Sequence, residues 1–287
     1  MAKSLKEMIS EKEKQYLDSI DIIDVIGEEN LLFFIHYQAQ GSQILCDCLS
    51  ANGIDATEEN FDITKVPATK KTKSGWIFPF VVNTETVINQ RYLAYANYQQ
   101  GVEYPIKQLQ FTDKNDLAEK MIDGCVEYIA RKGYSQVEAF HMFIDWLAWS
   151  LGIEENLDKK IDDDIQEYLY RNFIVSIMLM HPYDYLGDRH MNYLSKKGNR
   201  TAFFPTPPQV SAFMAQLLGI EKDSSVMEPC VGTGAILLQA SNKSFNLTGI
   251  EIDPFICLMC KINMALYAPW AKIINDNALT YGMNKEE

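Results

Sequence analysis

Hydrophobic residues recur at helical spacing through most of the first 180 residues of the chain. The pattern is clearest after Ser135, where Glu138 follows at the spacing of a capping box and the run VEAFHMFIDWLAWSLG is apolar on most sides. We expect that helix to lie at the centre of its domain. The periodicity predicts helices over residues 4–26, 29–50, 85–98, 115–132, 135–152 and 162–180.

Two parts of this region lack a helical pattern. Residues 54–83 are rich in polar turn residues and close on WIFPFVV, where Pro79 interrupts a β-like run. A proline in such a run favours an edge strand or an extended arm. The run HPYDYLGDRHMNYL, which starts at His181, is interpreted as a linker into the C-terminal region.

The C-terminal region alternates short apolar runs with helical ones. Strands are predicted to end at Glu228 and to cover Leu247–Ile252 and Ala271–Ile274, and an apolar helix begins at Ala235. Strands that alternate with helices indicate a parallel sheet. The predicted fold class is therefore α/β, with a mostly helical region over residues 1–183 and a Rossmann-like half sheet over residues 184–287.

The net charge of −13 is unevenly distributed. From Lys196 onward the chain has eight basic and eight acidic residues, so the first 195 residues hold 18 of the 26 basic and 31 of the 39 acidic side chains. Nucleic-acid-binding regions usually present a basic face to phosphates. We therefore expect the N-terminal region to be a solvated acidic surface or a contact for a basic protein, and a weak DNA-binding element on its own.

Composition favours a globular cytoplasmic protein. Hydrophobic residues make up 47% of the chain and charged residues 23%, no run of eighteen apolar residues occurs, and the charged N-terminus is unlike a signal peptide. Cys257 and Cys260 form a C-x-x-C inside an apolar helical run without a second pair of ligands. Buried free thiols are favoured there over a metal site.

The polar residues at the predicted strand ends point to a nucleoside-containing ligand. Gly232 and Gly234 follow the first strand and precede a helix, a turn in which a ligand can approach the backbone closely. Glu251 ends the second strand, at an offset where a carboxylate can accept hydrogen bonds from ribose hydroxyls. Asp276 follows the third strand and could accept from an exocyclic amine. An ordinary strand-to-helix turn without a ligand would leave both carboxylates unexplained.

Two ligand classes fit this arrangement. A dinucleotide site normally has a third glycine that seats the pyrophosphate, and the Gly232-Thr233-Gly234 turn lacks it. Glu228, directly before the turn, would repel a pyrophosphate, whereas it suits a sulfonium ligand that carries an α-amino group. S-adenosylmethionine is therefore favoured over a nicotinamide cofactor.

The motifs resemble those of a known enzyme family. EPCVGTGA, GIEIDP and NDNAL are similar to motifs I, II and III of the N6-adenine DNA methyltransferases of the gamma arrangement, which include modification subunits of type I restriction systems, and FFPTPPQVSAFMAQLL resembles their motif X. The resemblance covers roughly residues 184–283. The phrase DYLGDRHMNYLSKKGNRTAFFPTP is similar to the join before motif X in those proteins, where a short helix leads through a glycine-containing loop. The resemblance implies S-adenosylmethionine as cofactor.

The resemblance also assigns positions to the parts of that cofactor. Thr206 and Phe204 would flank the methionine end, Glu228 and Gly232 would line the amino-acid moiety, Glu251 would hold the ribose and Asp276 the adenine amine. The complete set of cofactor-binding residues that it implies is Phe204, Thr206, Glu228, Pro229, Cys230, Gly232, Gly234, Glu251, Ile252, Asp276 and Asn277.

The printed sequence departs from the family in one respect. Family members have an Asn or Asp-Pro-Pro-Tyr or Phe motif that docks a flipped-out adenine, and the one Pro-Pro pair of this sequence, Pro207-Pro208, belongs to motif X. No catalytic residue is therefore assigned. The chain could be half of a split methyltransferase, a cofactor-binding relative that acts by association with a restriction, modification or antirestriction system, or an enzyme with an unrecognised acceptor site.

An open parallel sheet is expected to have its edge covered. We expect the cover to be the N-terminal region, a second copy of the chain or a partner protein. The expected partners are thus adenine-containing DNA, reached through a complex, and a protein partner or homo-oligomer, with no membrane association.

Overall fold

The computed structural model describes residues 74–196 and 204–281 of the 287-residue chain. The helices predicted over residues 4–26 and 29–50 lie outside the described residues. The described residues form two compact units, of which the first comprises residues 74–88 and Asn115–His181 and the second comprises Asn89–Lys114 and the described residues from Pro182 onward.

The first unit is helical throughout its described part. Its helices are α1 Phe78–Ile88, α3 Asp116–Ala130, α4 Gln136–Ser150, α5 Asp163–Asn172 and α6 Val175–Met180. Local sequence explains where two of them begin. The Asn115 side chain accepts hydrogen bonds from the amides of Leu117 and Ala118 at the start of α3, and Ser135 and Glu138 form the predicted capping box of α4.

Helix α4 forms the centre of the first unit, as its apolar composition predicts. Ten of its fifteen residues are buried. The ring of Trp146 packs edge-on against Phe173 at 5.7 Å between centroids, and Trp76 lies 5.0 Å from Tyr170. Large rings of this kind bury much apolar area each and contribute strongly to the stability of a core.

The prediction of an edge strand or extended arm over WIFPFVV is wrong. Helix α1 begins at Phe78, with Pro79 in its first turn. A proline is tolerated there because the first amides of a helix have no intrahelical acceptor to lose. The β-like composition of the run reflects burial, since Trp76, Ile77 and Val81 are all core residues.

The single helix predicted over residues 162–180 is divided into α5 and α6. Phe173 and Ile174 between them have extended backbone torsions, with ψ values of 115° and 96°. Both side chains are completely buried, and the Ile174 amide faces the Met121 sulfur at 3.0 Å. The interruption therefore falls at two adjacent core residues, whose extended backbone separates α5 from α6.

The second unit has an α/β architecture. Its elements are α2 Arg91–Gln99, α7 Tyr185–Lys196, α8 Pro208–Leu217, β1 Ser225–Glu228, α9 Ala235–Ala240, β2 Asn246–Glu251, α10 Pro254–Tyr267 and β3 Lys272–Asn275. The three strands are parallel in the order β1-β2-β3, with Glu228 opposite Gly249 and Glu251 opposite Asn275. The predicted α/β fold class is confirmed, and the strand predictions agree with the structure to within about one residue.

Two helix predictions differ from the structure in this part of the chain. The run HPYDYLGDRHMNYL is mainly helix α7 and not a linker. The helix predicted over residues 85–98 is interrupted between α1 and α2, where Gln90 adopts the left-handed conformation with φ of 59°. The interruption coincides with the boundary between the two compact units.

The segment Asn89–Lys114 is anchored within the second unit by Arg91. The guanidinium is completely buried, donates to the Ser241 carbonyl at 2.7 Å and to Asn242 Oδ1 at 2.8 Å, and lies 4.9 Å from the centre of the Trp270 ring. The Asn242 side chain in turn exchanges hydrogen bonds of 2.9 Å with the backbone of Leu109. These contacts agree with the place of Asn89–Lys114 in the second unit, although the sequence analysis puts this segment in the helical region. The domain division at residue 183 stays a prediction.

Candidate functional site

The carboxyl ends of the three strands bring the predicted site residues to one edge of the sheet. Glu228 and Glu251 are the last residues of β1 and β2, and Asp276 follows β3 directly. The Asp276 amide donates to the Glu251 carbonyl at 3.1 Å, and the Asn275 side chain donates to the same carbonyl at 2.7 Å. Ligands of open α/β sheets bind outside these strand ends.

The glycine turn connects β1 to α9. Gly232 and Gly234 have φ values of 56° and 97°, a conformation that glycine adopts without steric cost. The turn also packs closely against α10, since a Cβ on Gly234 would lie 2.5 Å from the Met264 methyl and 3.1 Å from the Cys260 sulfur. The predicted turn therefore requires glycine at position 234 for both torsion and space.

Glu251 is joined to this turn by a hydrogen bond. Its Oε2 accepts from the Gly232 amide at 3.0 Å, and its Oε1 accepts from the Asp253 amide at 2.9 Å. Each carboxylate oxygen has two lone pairs, so both can accept one further hydrogen bond. The geometry thus holds the carboxylate in place and leaves acceptor capacity for the two hydroxyls of a ribose.

Glu228 has a more apolar environment than Glu251. One carboxyl oxygen accepts from the Leu237 amide in the first turn of α9, and burial raises the pKa of this side chain to about 8. Its Oε2 is buried and has no hydrogen-bond partner among the described residues. An unpaired buried acceptor next to the glycine turn fits a cationic donor such as an α-ammonium group.

The remaining residues predicted around the turn are solvent-exposed. Pro229, Cys230, Ile252 and Asp276 are all exposed, and the Ile252 side chain retains 66% of its accessible area. Asn277 is half-buried, and its amide donates to Asp276 Oδ1 at 2.7 Å. An exposed isoleucine beside two carboxylates provides an apolar surface on which a planar base can stack.

Motif X lies at a neighbouring cavity. Thr206 lines a cavity of about 200 Å³ together with Tyr183, Asp184, Ala235 and other residues, and Glu228, Glu251 and Asp276 are not among its lining residues. Phe204 is 77% exposed. The structure therefore brings the strand-end residues together and places Thr206 at the neighbouring cavity, outside that group. Phe204 does not line this cavity.

Sequence reasoning missed three polar residues that support the turn. Asp184, directly before α7, accepts a hydrogen bond from the Thr233 hydroxyl, and its Oδ1 accepts from the Asn263 amide group at 2.8 Å. Asn263 also donates to the Thr233 carbonyl at 2.9 Å. The signal for Asn263 was available, because a lone asparagine in the apolar run PFICLMCKINMALY is costly to bury unless its amide group finds acceptors. Its Nδ2 finds two, whereas its Oδ1 has no hydrogen-bond partner among the described residues.

The cysteines of the described residues are free thiols. Cys257 and Cys260 are buried, and burial raises the pKa of the Cys260 thiol. Within residues 74–196 and 204–281, no group of three or more histidine, cysteine, aspartate or glutamate side chains is arranged to hold a metal ion. In the same residues no helix is long and apolar enough to cross a membrane.

The C-terminal part of the chain, which contains this site, is similar to a known protein family. Residues 179–287 match the sequence profile of the N-6 DNA Methylase family. The chain is 32% identical to the type II restriction enzyme and methyltransferase RM.BcgI of Heyndrickxia coagulans over 36% of this chain and 20% of that protein. It is 27% identical to the type I restriction enzyme MjaVII methylase subunit of Methanocaldococcus jannaschii over 30% of this chain and 16% of that subunit.

Two solved structures are also similar. A class I S-adenosylmethionine-dependent methyltransferase from Listeria monocytogenes aligns with 57% of this chain and 55% of its own, at 15% identity and a TM-score of 0.39. A type I restriction-modification methyltransferase subunit from Streptococcus thermophilus aligns with 96% of this chain and 60% of its own, at 15% identity and a TM-score of 0.34.

The family resemblance predicted from the four motifs is confirmed by the profile match and the two curated relatives. S-adenosylmethionine is the cofactor that this family implies. The chain spans one fifth or less of the length of these relatives.

Proposed function

Since residues 179–287 belong to the N-6 DNA methylase family, we propose that this chain binds S-adenosylmethionine and supplies the cofactor half of a methyltransferase that modifies adenine in DNA. The observation that carries the proposal is the pair of carboxylates at adjacent strand ends. Glu251 is fixed by the Gly232 amide with acceptor capacity to spare, and Glu228 has a buried oxygen without a partner.

Each part of the cofactor has a matching residue in this proposal. Glu228 accepts from the α-ammonium group, because an unpaired buried oxygen gains most from a charged donor. Glu251 accepts from the ribose hydroxyls. Asp276 accepts from the adenine amine, and Ile252 offers the adenine ring an apolar contact. Thr206, at the neighbouring cavity, lies on the side of the methionine end.

The cofactor supplies an electrophilic methyl group on sulfur, and the residues of this chain bind and orient it. Positioning of this kind contributes a large share of the rate in reactions that need no strong base.

We propose that a partner chain or a second copy supplies the acceptor side. In the sheet of the described residues β1 is an edge strand, whose Met227 is 53% exposed. Helix α8 and the residue after it have exposed apolar side chains at Val210, Phe213, Met214, Leu217 and Leu218. An unpaired strand edge and an exposed apolar helix face both favour association. The DNA and the residues that dock the target adenine belong to that complex.

Calorimetric titration with S-adenosylmethionine tests the cofactor site. We expect binding with a micromolar dissociation constant and no binding of NADH, which serves as the control ligand. A folded chain that binds neither ligand contradicts the proposal and favours a methyltransferase-like interaction protein without a cofactor. Transfer of a labelled methyl group to adenine-containing DNA, with and without a co-purified partner, then distinguishes an active subunit from an inactive one.

A further inference from the structure

We propose that Asp184 is a positioning residue of the cofactor site, which fixes the Gly232–Gly234 turn through the Thr233 hydroxyl and thereby sets cofactor affinity. The inference rests on the proposed function. It concerns a residue that lies outside the four motifs, directly before α7, and whose side chain contacts Thr233 of the turn.

One carboxylate joins three elements of the second unit. Asp184 Oδ1 accepts from the Gly187 amide at 2.9 Å, which caps α7, and from Asn263 Nδ2 of α10 at 2.8 Å. The other oxygen accepts from the hydroxyl of Thr233, a residue that is 2% exposed. A carboxylate is the side chain that can accept from three donors converging in this way.

Thr233 is held from both sides by this network. Its hydroxyl donates to Asp184, and its carbonyl accepts from Asn263 Nδ2 at 2.9 Å. Thr233 stands between Gly232 and Gly234, which both adopt left-handed torsions. Because the Gly232 amide donates to Glu251, a displacement of Thr233 also changes the placement of the proposed ribose acceptor.

The backbone of α7 approaches the turn closely to allow this contact. A Cβ on Gly187 would lie 2.4 Å from Asp184 Oδ2 and 2.6 Å from the Thr233 hydroxyl. Position 187 therefore needs glycine so that the carboxylate and hydroxyl can meet. The spacing Asp-x-x-Gly thus serves the turn as well as the helix cap.

Four variants test the inference. Asp184→Asn places a donor among three donors, Thr233→Val removes the hydroxyl at nearly constant volume, and Thr233→Ser keeps the hydroxyl. Ser244→Ala is the matched control, because Ser244 is a buried hydroxyl of the same unit that bonds the Ser224 carbonyl at 2.6 Å, at the opposite end of the strands. Each variant is titrated with S-adenosylmethionine, and amide hydrogen exchange is measured across residues 231–235.

We expect Asp184→Asn and Thr233→Val each to weaken S-adenosylmethionine binding by about tenfold or more and to speed amide exchange in the turn, because a buried polar group loses its partner. Thr233→Ser should restore affinity to within about threefold, and Ser244→Ala should lower the melting temperature without either effect. Full affinity and unchanged exchange in Thr233→Val would overturn the inference.

The two readouts separate this inference from the proposed function. If the unaltered chain does not bind S-adenosylmethionine, the proposed function fails, and with it the statement about affinity. Faster turn exchange in Asp184→Asn, compared with Ser244→Ala, would then still support the positioning role, and equal exchange in the two variants would overturn that role too.

Discussion

Two glutamates at the same sheet edge have different environments, and the difference has a consequence for pH. Burial raises the pKa of Glu228 to about 8, whereas the Glu251 side chain accepts hydrogen bonds from two backbone amides. At neutral pH Glu228 is therefore largely protonated in the ligand-free chain. An α-ammonium group binds its ionised form, so cofactor binding has to displace a proton.

We predict that affinity for S-adenosylmethionine rises with pH between about 6 and 8, with proton release on binding. The α-amino group of the ligand titrates near the top of this range, so the rise should level off there. Calorimetry in two buffers of different ionisation enthalpy measures the released proton. Glu228→Gln should bind more weakly and lose the pH dependence; a pH-independent affinity in the unaltered chain would contradict the assignment.

The raised pKa of Glu228 makes the stability of the ligand-free chain fall with rising pH, whereas the cofactor affinity should rise. The folded chain holds the Glu228 proton more tightly than the unfolded chain does, so this side chain's contribution to stability is fully present below the ordinary glutamate pKa of 4.5 and is lost as pH rises toward 8. The ligand-free chain should accordingly lose stability over that interval, and Glu228→Gln should remove this part of the loss, which denaturant titrations at several pH values would detect.

Removal of the Glu251 side chain should cost roughly 1.5–3 kcal/mol of cofactor affinity, the range for hydrogen bonds to a charged group. The loss includes the release of the Gly232 amide, which donates to this carboxylate at 3.0 Å. Titration of Glu251→Ala measures it. Glu155→Ala, a change at an exposed glutamate of the first unit, is the control and should bind as the unaltered chain does. Equal affinity in both variants would mean that the ribose lies elsewhere.

At the scale of elements, the turn between β1 and α9 is the part on which the site depends most. Gly232→Val should weaken cofactor binding strongly, because it adds a branched side chain at a φ of 56° beside the proposed ligand. Gly101→Val is the matched control, since Gly101 has a φ of 71° and no atom within 4 Å of an added Cβ. Both should lose about 1–3 kcal/mol of stability, and only the first should lose binding.

The elements that local sequence controls could be predicted. Capping residues at Asn115 and Ser135 and the alternation of β1 to β3 are local signals, and the predicted helices and strands there agree with the structure. The break at Phe173 could not be predicted, because a helical pattern continues through it and its tertiary contacts, among them the one with Trp146, are not local in sequence. The Asp184–Thr233 contact joins residues 49 positions apart, which no local pattern contains.

At the scale of the whole molecule, the open edge of the sheet determines how the chain should behave in solution. If a partner or second copy covers β1, as we propose, Met227→Lys should weaken that association, because a charge on the exposed edge strand opposes pairing. Sedimentation of the chain with its co-purified partner measures the effect. Lys272→Met, on exposed β3, is the control; an identical sedimentation profile for Met227→Lys and the unaltered chain would contradict a role for β1.

The charge distribution sets a condition on any partner. The first 195 residues contain 31 acidic and 18 basic side chains, so this part repels DNA at low ionic strength. A partner that brings DNA to the site therefore needs to supply the basic surface itself. Its affinity for this chain should fall with added salt to the extent that the acidic region contributes to the contact.

The anchoring of Arg91 makes the second unit discontinuous along the chain. During synthesis the segment Asn89–Lys114 leaves the ribosome well before Ser241, Asn242 and Trp270, the residues that receive its guanidinium. The segment cannot form these contacts until the residues between have been synthesised. The first unit, which includes Asn115–His181, can fold during that interval. A fragment that begins at the methylase motifs would contain every motif but would lack Arg91. Such a truncated protein should regain its stability when residues 89–114 are added back as a peptide.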